Sequence, residues 1–104
     1  MRRRALVPLS LLACGALWAA GDAKKGGGVF LQQCGPCHSA TTNEKKLGPG
    51  LKGLFKIAKL PDGKKPTEAN VRARIDSGGN GMPPYKDLLT DQEKDDLIAY
   101  LKTL

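Results

Sequence analysis

The stretch Cys34-Gly35-Pro36-Cys37-His38 constrains this chain more than any other. Two thiols three positions apart, followed at once by a histidine, make the C-x-x-C-H pattern of covalent c-type haem attachment. The spacing has a chemical reason. Cysteines separated by two residues on one turn of chain can each reach a vinyl group along one side of a porphyrin. The next residue is then delivered beneath the ring, where its imidazole can ligate the iron. A chain that closes around so large an apolar body needs less core of its own.

The first fifth of the 104 residues reads as separate from the domain that follows. Arg2, Arg3 and Arg4 form a positive start, Ala5 to Ala20 carries no charge, and Asp22, Lys24 and Lys25 follow. That order predicts a secretory signal peptide over residues 1–21 and a mature domain over 22–104. The apolar run is short for a transmembrane helix, which needs roughly 20 residues; an uncleaved N-terminal helix acting as anchor is the alternative. Cleavage after Gly21 puts Gly21 and Ala19 at the two small-residue positions, whereas cleavage after Ala20 puts bulky Trp18 at one of them. Cleavage after Ala23 is a third option. Leu11-Leu12-Ala13-Cys14 resembles a lipobox, so a membrane anchor through a lipidated Cys14 also stands as an alternative, although the apolar run continues past it.

Removing residues 1–21 takes away three arginines, the third cysteine and the single tryptophan, and the formal charge falls from +7 to +4. The mature chain keeps two cysteines, both in the motif, and four aromatic residues, Phe30, Phe55, Tyr85 and Tyr100. A domain of this size is marginal on its own core. The composition asks for a cofactor to pack on.

Along the mature chain, Asp22 to Gln33 predicts a first helix with Asp22 as N-cap and Val29 and Phe30 on its apolar face. Gly26, Gly27 and Gly28 weaken it by roughly 1 kcal/mol each, which predicts either a late start or a close helix crossing. Glycines, prolines and seven lysines between Ser39 and Pro66 predict a long loop, with a short apolar turn at Leu51, Leu54 and Phe55. Thr67 reads as the N-cap of a helix to about Asp76, with Val71 and Ile75 on one face. Ser77-Gly78-Gly79-Asn80-Gly81 ends it, and Met82-Pro83-Pro84-Tyr85 reads as extended. Thr90-x-x-Glu93 is a capping box opening a last helix with Leu97, Tyr100, Leu101 and Leu104 at helical spacing. Its acidic first turns and Lys102 in its last turn suit the helix dipole. No alternating pattern predicts a strand. The fold class is all-α with long loops.

Two other chemistries compete for the opening motif. Cys-Gly-Pro-Cys is also a dithiol redox sequence of the thioredoxin kind, but that motif follows a strand in a βαβ scaffold, which this chain lacks. Zinc would have three ligands in Cys34, Cys37 and His38, with no further cysteine or histidine to complete a structural site. A plain disulfide between Cys34 and Cys37 is the remaining possibility. With haem attached and His38 below it, the sixth iron position has few candidates. No second histidine exists, and the mature chain has one methionine, Met82, set in a Gly- and Pro-stiffened loop off any apolar helix face. Methionine opposite histidine raises the reduction potential and leaves no vacant site, which suits electron transfer. A lysine ligand or an open sixth position are the other readings.

Four segments closely resemble the small monohaem class I cytochromes c of bacterial respiration: Gly26-x-x-x-Phe30, Gly48-Pro49-Gly50-Leu51-Lys52-Gly53-Leu54-Phe55, Asn80-Gly81-Met82-Pro83-Pro84-Tyr85, and Leu97-x-x-Tyr100. The resemblance covers essentially the whole mature chain. It implies the class I cytochrome c fold, three main helices with long loops wrapped around one covalently bound haem c, and a close crossing of the first and last helices at the glycine. It also implies thioethers from Cys34 and Cys37, axial ligation by His38 and Met82, and a Pro49 carbonyl that accepts a hydrogen bond from the His38 imidazole. The mature chain departs from many relatives in having no tryptophan to hold a haem propionate; Arg72, Arg74, Lys56 and Lys59 are the candidates instead.

The function expected is electron transfer by a single haem cycling between Fe(III) and Fe(II), in a periplasmic monomer that is a carrier and not an enzyme. Expected partners are redox proteins: a quinol–cytochrome c reductase or dehydrogenase as donor, an oxidase or reductase as acceptor. Neither nucleic acid nor a small-molecule substrate is expected. The alternatives from other classes are a dithiol oxidoreductase using Cys34 and Cys37, and a haem sensor or peroxidase with an open sixth site.

Overall fold

The computed structural model describes residues 21–104. Cys14 and all of the predicted signal peptide except Gly21 therefore lie outside the described residues. Three α-helices carry the architecture: α1 (Ala23–Val29), α2 (Glu68–Ser77) and α3 (Asp91–Leu101). Among the described residues the fold is all-α, the one β-type pairing being an isolated bridge between Gly79 and Met82.

Asp22 caps α1 by accepting from the backbone N–H groups of Lys24 and Lys25 at 2.9 and 3.2 Å. Such a cap is worth about 1 kcal/mol and offsets part of the glycine cost. The helix then runs directly into one π-helical turn, Phe30–Cys34, which delivers Cys34. Gly26 explains the first of the three glycines. A Cβ there would collide with the Asp96 carbonyl oxygen and would sit 2.9 Å from the Tyr100 Cβ, so α1 and α3 touch at backbone distance only because residue 26 has no side chain. Beside the crossing, the Phe30 and Tyr100 rings pack with centroids 5.4 Å apart. Gly28 faces open space, and nothing in the structure accounts for it.

Thr67 caps α2 through the Asn70 N–H at 3.1 Å, and both halves of the Thr90–Glu93 capping box are made at the start of α3. Lys102 is a correction. It lies at the C-cap, one residue past α3, and its side chain pairs with Glu68 at the start of α2. The helix's early carboxylates are likewise taken by partners: Arg72 of α2 bonds Asp95 at 2.5 Å and Asp91 at 3.4 Å. Lys94, which the spacing gives no reason to bury, is 4% exposed, with its Nζ 2.7 Å from Asp76 Oδ1 and donating to the Lys86 carbonyl at 2.9 Å.

Between the motif and α2 the chain is mostly irregular, with a single 3₁₀ turn at Leu54–Lys56. The loop is sewn back onto the motif by the bond from Gly48 N–H to the Cys37 carbonyl at 2.8 Å, and Leu51 N–H bonds the carbonyl of Ser39, just past the motif, at 2.7 Å. The buried apolar cluster draws Phe30 from the first segment, Leu54 and Leu60 from the loop, Val71 and Ile75 from α2, Tyr85 and Leu89 from the connection, and Leu97, Ile98 and Leu101 from α3.

Candidate functional site

Seven of those ten buried residues, Leu54, Leu60, Val71, Ile75, Tyr85, Leu97 and Leu101, border one cavity of about 370 Å³. A dry void of that size inside the core would cost about 9 kcal/mol at roughly 24 cal/mol per Å³, comparable with the whole stability of a domain, about 5–15 kcal/mol. Letting water in would wet the core instead. The fold is shaped to hold an apolar body.

The sulfur and imidazole groups that the cavity gathers, and the backbone that holds them, come from three places in the chain. Cys34, Cys37 and His38 arrive on the end of the π-turn; Gly48, Pro49 and Leu51 come from the loop; Gly79 to Pro83 come from the connection after α2. His38 is held by its Nδ1, which lies 2.8 Å from the Pro49 carbonyl oxygen. A carbonyl only accepts, so Nδ1 carries a proton, and in the neutral ring the lone pair is on Nε2. Gly48 makes this possible at close range, because a Cβ there would drive into the imidazole ring.

Met82 is placed by a tight turn. The Gly79 and Met82 N–H groups bond each other's carbonyls at 2.9 and 3.0 Å. Gly78, Gly79, Asn80 and Gly81 all have positive φ, between 51° and 122°. Four such residues in a row need glycine, or asparagine at the one position that takes a side chain. Two side chains, Arg74 and Tyr85, hold this segment in place. Arg74 of α2 donates to the Gly78 carbonyl at 3.0 Å and to Asp62 at 3.1 Å, and the Tyr85 hydroxyl donates to the Gln33 carbonyl at 3.0 Å. Tyr85 thereby ties the methionine connection to the segment that carries Cys34.

Sequence reasoning missed Gly48, Tyr85 and Asp62. The first two lie inside segments it quoted, but only the packing shows what they touch. Of the four residues proposed for propionates, Arg74 lines the cavity, whereas Arg72 is bound into the α2–α3 ion pairs and Lys56 and Lys59 do not border it.

Neither Cys34 nor Cys37 is in a disulfide, and burial together with the neighbouring Cys37 pushes the Cys34 thiol up to about 11. A dithiol redox site needs the reverse, a thiol whose pKa is lowered so that thiolate is present at neutral pH. Among the described residues no three His, Cys, Asp or Glu side chains are grouped to hold a metal ion by themselves. What the site offers is two unpaired thiols, an imidazole with one nitrogen engaged and one free, a thioether, and an apolar wall. That set fits a haem.

The family described as "Cytochrome C oxidase, cbb3-type, subunit III" matches residues 21–101. Cytochrome c6 of Bryopsis maxima is 34% identical over 83 residues, covering 78% of this chain and 90% of that protein. The chain belongs to the cytochrome c family. Cytochrome c of Stellaria longipes is 30% identical over 99 residues, covering 79% of this chain and 92% of that protein. Among solved structures, cytochrome c6 from the diatom Phaeodactylum tricornutum matches with a TM-score of 0.61 at 25% identity, over 80% of this chain and 93% of that one. This cytochrome therefore has the class I fold, carries covalently bound haem c and serves haem-mediated electron transfer with redox proteins as partners. The dithiol and open-site alternatives find no support in these relatives.

Proposed function

We propose that the chain is a periplasmic electron carrier, not an enzyme, in which Cys34 and Cys37 hold the haem through thioethers and His38 and Met82 are the axial ligands. The observation that carries this reading is the gathering of all four side chains on one apolar cavity, with His38 already fixed through Pro49. When bound, the haem iron supplies a one-electron Fe(III)/Fe(II) couple. The chain's own residues do the rest. The Nδ1–H bond to Pro49 sets the imidazole plane and its basicity, the glycine turn presents the Met82 sulfur, and the leucines and Val71 keep water away.

Export is part of the proposal: residues 1–21 are the signal peptide and 22–104 the working domain. Among the described residues no helix is long and apolar enough to cross a membrane. The partners proposed are a quinol–cytochrome c reductase or dehydrogenase on one side and an oxidase or reductase on the other, met by a monomer. Leu47, which borders the cavity and is 83% exposed, and the exposed Lys45 and Lys46 beside it support docking at the cavity mouth on an acidic partner.

Absorption spectra of the purified protein, oxidised and reduced, with a pyridine haemochrome assay, test the site. Type c haem that resists acid–acetone extraction is the expected result; extractable haem, or none, would overturn it.

A further inference from the structure

We infer that the mature chain begins at Asp22 and that the α-ammonium released there pairs with the buried carboxylate of Asp96, so that removal of the leader locks the α1–α3 crossing. This rests on the export reading above.

Asp96 is 4% exposed and sits on α3 where Gly26 crosses it. A buried carboxylate normally has a cationic partner. Among the described residues, no Lys, Arg or His comes within ion-pairing distance of this one. Its Oδ1 accepts instead from the Gln92 side-chain amide at 2.9 Å and from the backbone nitrogen of Asp22 at 2.7 Å. The charges that face it are Lys25 on α1, which acts at longer range, and Asp95 beside it on α3, which Arg72 of α2 neutralises. The Asp22 carboxylate is turned to the Lys24 and Lys25 N–H groups. The missing cation is supplied if the Asp22 nitrogen is the chain's first atom.

The Gly21–Asp22 bond is the one the small-residue rule selects, with Ala19 and Gly21 before it. Hydrolysis by a leader peptidase consumes one water: Gly21 leaves with a carboxylate, and the Asp22 nitrogen becomes an amine that takes up a proton. A neutral amide donor becomes a full positive charge at the same atom, 2.7 Å from the carboxylate. The other two cuts do not do this. Cleavage after Ala20 leaves the Asp22 nitrogen an amide, and cleavage after Ala23 deletes both the α1 N-cap and the partner of Asp96.

The pairing raises the α-amino pKa above its ordinary value of about 7.7–8.0. Its stabilisation is therefore complete below that range and is lost as pH rises through the raised value.

The intact mass of the exported holoprotein tests the cut. A chain starting at Asp22 is expected; any other start overturns the processing assignment, and an unprocessed leader overturns the export reading itself. The ion pair is tested separately, on holoprotein made to begin at Asp22 through an engineered protease site. The rate of α-amino acetylation by acetic anhydride near pH 7 is read by mass spectrometry. One unit of pKa elevation slows it about tenfold relative to an Asp96→Asn chain. A chain with one extra glycine ahead of Asp22 gives the same comparison with Asp96 intact. Equal rates in the Asp22-start and extended chains would overturn the pairing.

Discussion

The Nδ1–H of His38 donates to the Pro49 carbonyl oxygen at 2.8 Å, across eleven residues of chain. That bond closes only because Gly48 N–H reaches the Cys37 carbonyl and no Cβ at residue 48 stands where the ring lies. Gly48→Ala is therefore expected to push the imidazole off the carbonyl. The overpacking cost is about 1–3 kcal/mol, read as a lower denaturation midpoint of the holoprotein together with a shifted haem spectrum. A wild-type midpoint and spectrum would show that the ring has room to move.

Met82→Ala removes the sulfur proposed for the sixth position. The low-spin spectrum is expected to change and the reduction potential to fall, by a fraction of the roughly 0.8 V that axial ligands span. An unchanged low-spin spectrum would take Met82 out of the ligand set and bring a lysine in.

Tyr85→Phe deletes the hydroxyl that joins the methionine connection to the Gln33 carbonyl. The loss is expected to be about 1 kcal/mol, the net worth of one hydrogen bond. Because it frees the segment carrying Met82, faster replacement of the proposed Met82 ligand by an added ligand such as imidazole should accompany the loss of stability. Unchanged ligand exchange would limit Tyr85 to ordinary packing.

Lys94→Ala strands Asp76 at a largely covered site and leaves the Lys86 carbonyl without its donor. About 3 kcal/mol is expected, the low end for a broken buried pair, since the Asp76 side chain keeps 29% exposure. Lys94→Met, which fills the same space, does not rescue it while Asp76 remains charged. Urea denaturation of the three proteins distinguishes these outcomes.

Acid sensitivity follows from Asp96. The hydrogen bond from the Asp22 backbone, followed by that from Gln92, holds its carboxyl below the ordinary carboxylate value. The carboxylate is favoured in the folded state, so its contribution is present above the unfolded value of about 3.9 and is lost as pH falls through the lowered folded value. Asp96→Asn should cost about 1.5–3 kcal/mol at neutral pH, the worth of hydrogen bonds to a charged group. It should also flatten the acid limb of the stability curve. A mutant that keeps the wild-type acid limb would assign that limb to other carboxylates.

Much of this protein was legible in its residues because the signals were local. Helix starts are written within four positions, as Asp22, Thr67 and Thr90 show, since a cap and the N–H groups it satisfies are neighbours in sequence. The haem motif is equally local: its three chemical groups must sit on one turn of chain. The Gly-Gly-Asn-Gly run before Met82 announced a turn by composition alone. What sequence could not decide was every relationship that depends on which distant backbones touch. Gly48 looks like any other glycine until the His38 ring is found against it. Lys94 and Asp96 both read as solvated helix charge, and they are buried on different sides of α3: the end of α2 and the connection to α3 close over Lys94, and the start of α1 closes over Asp96. Tyr85 reads as one more apolar residue until its hydroxyl is found 52 positions away at Gln33. Cys34-Gly35-Pro36-Cys37-His38 specified the chemistry. The packing of the other segments decided that the cavity beside it has Met82 on its wall, because long-range contact is set by the sum of shapes and not by spacing.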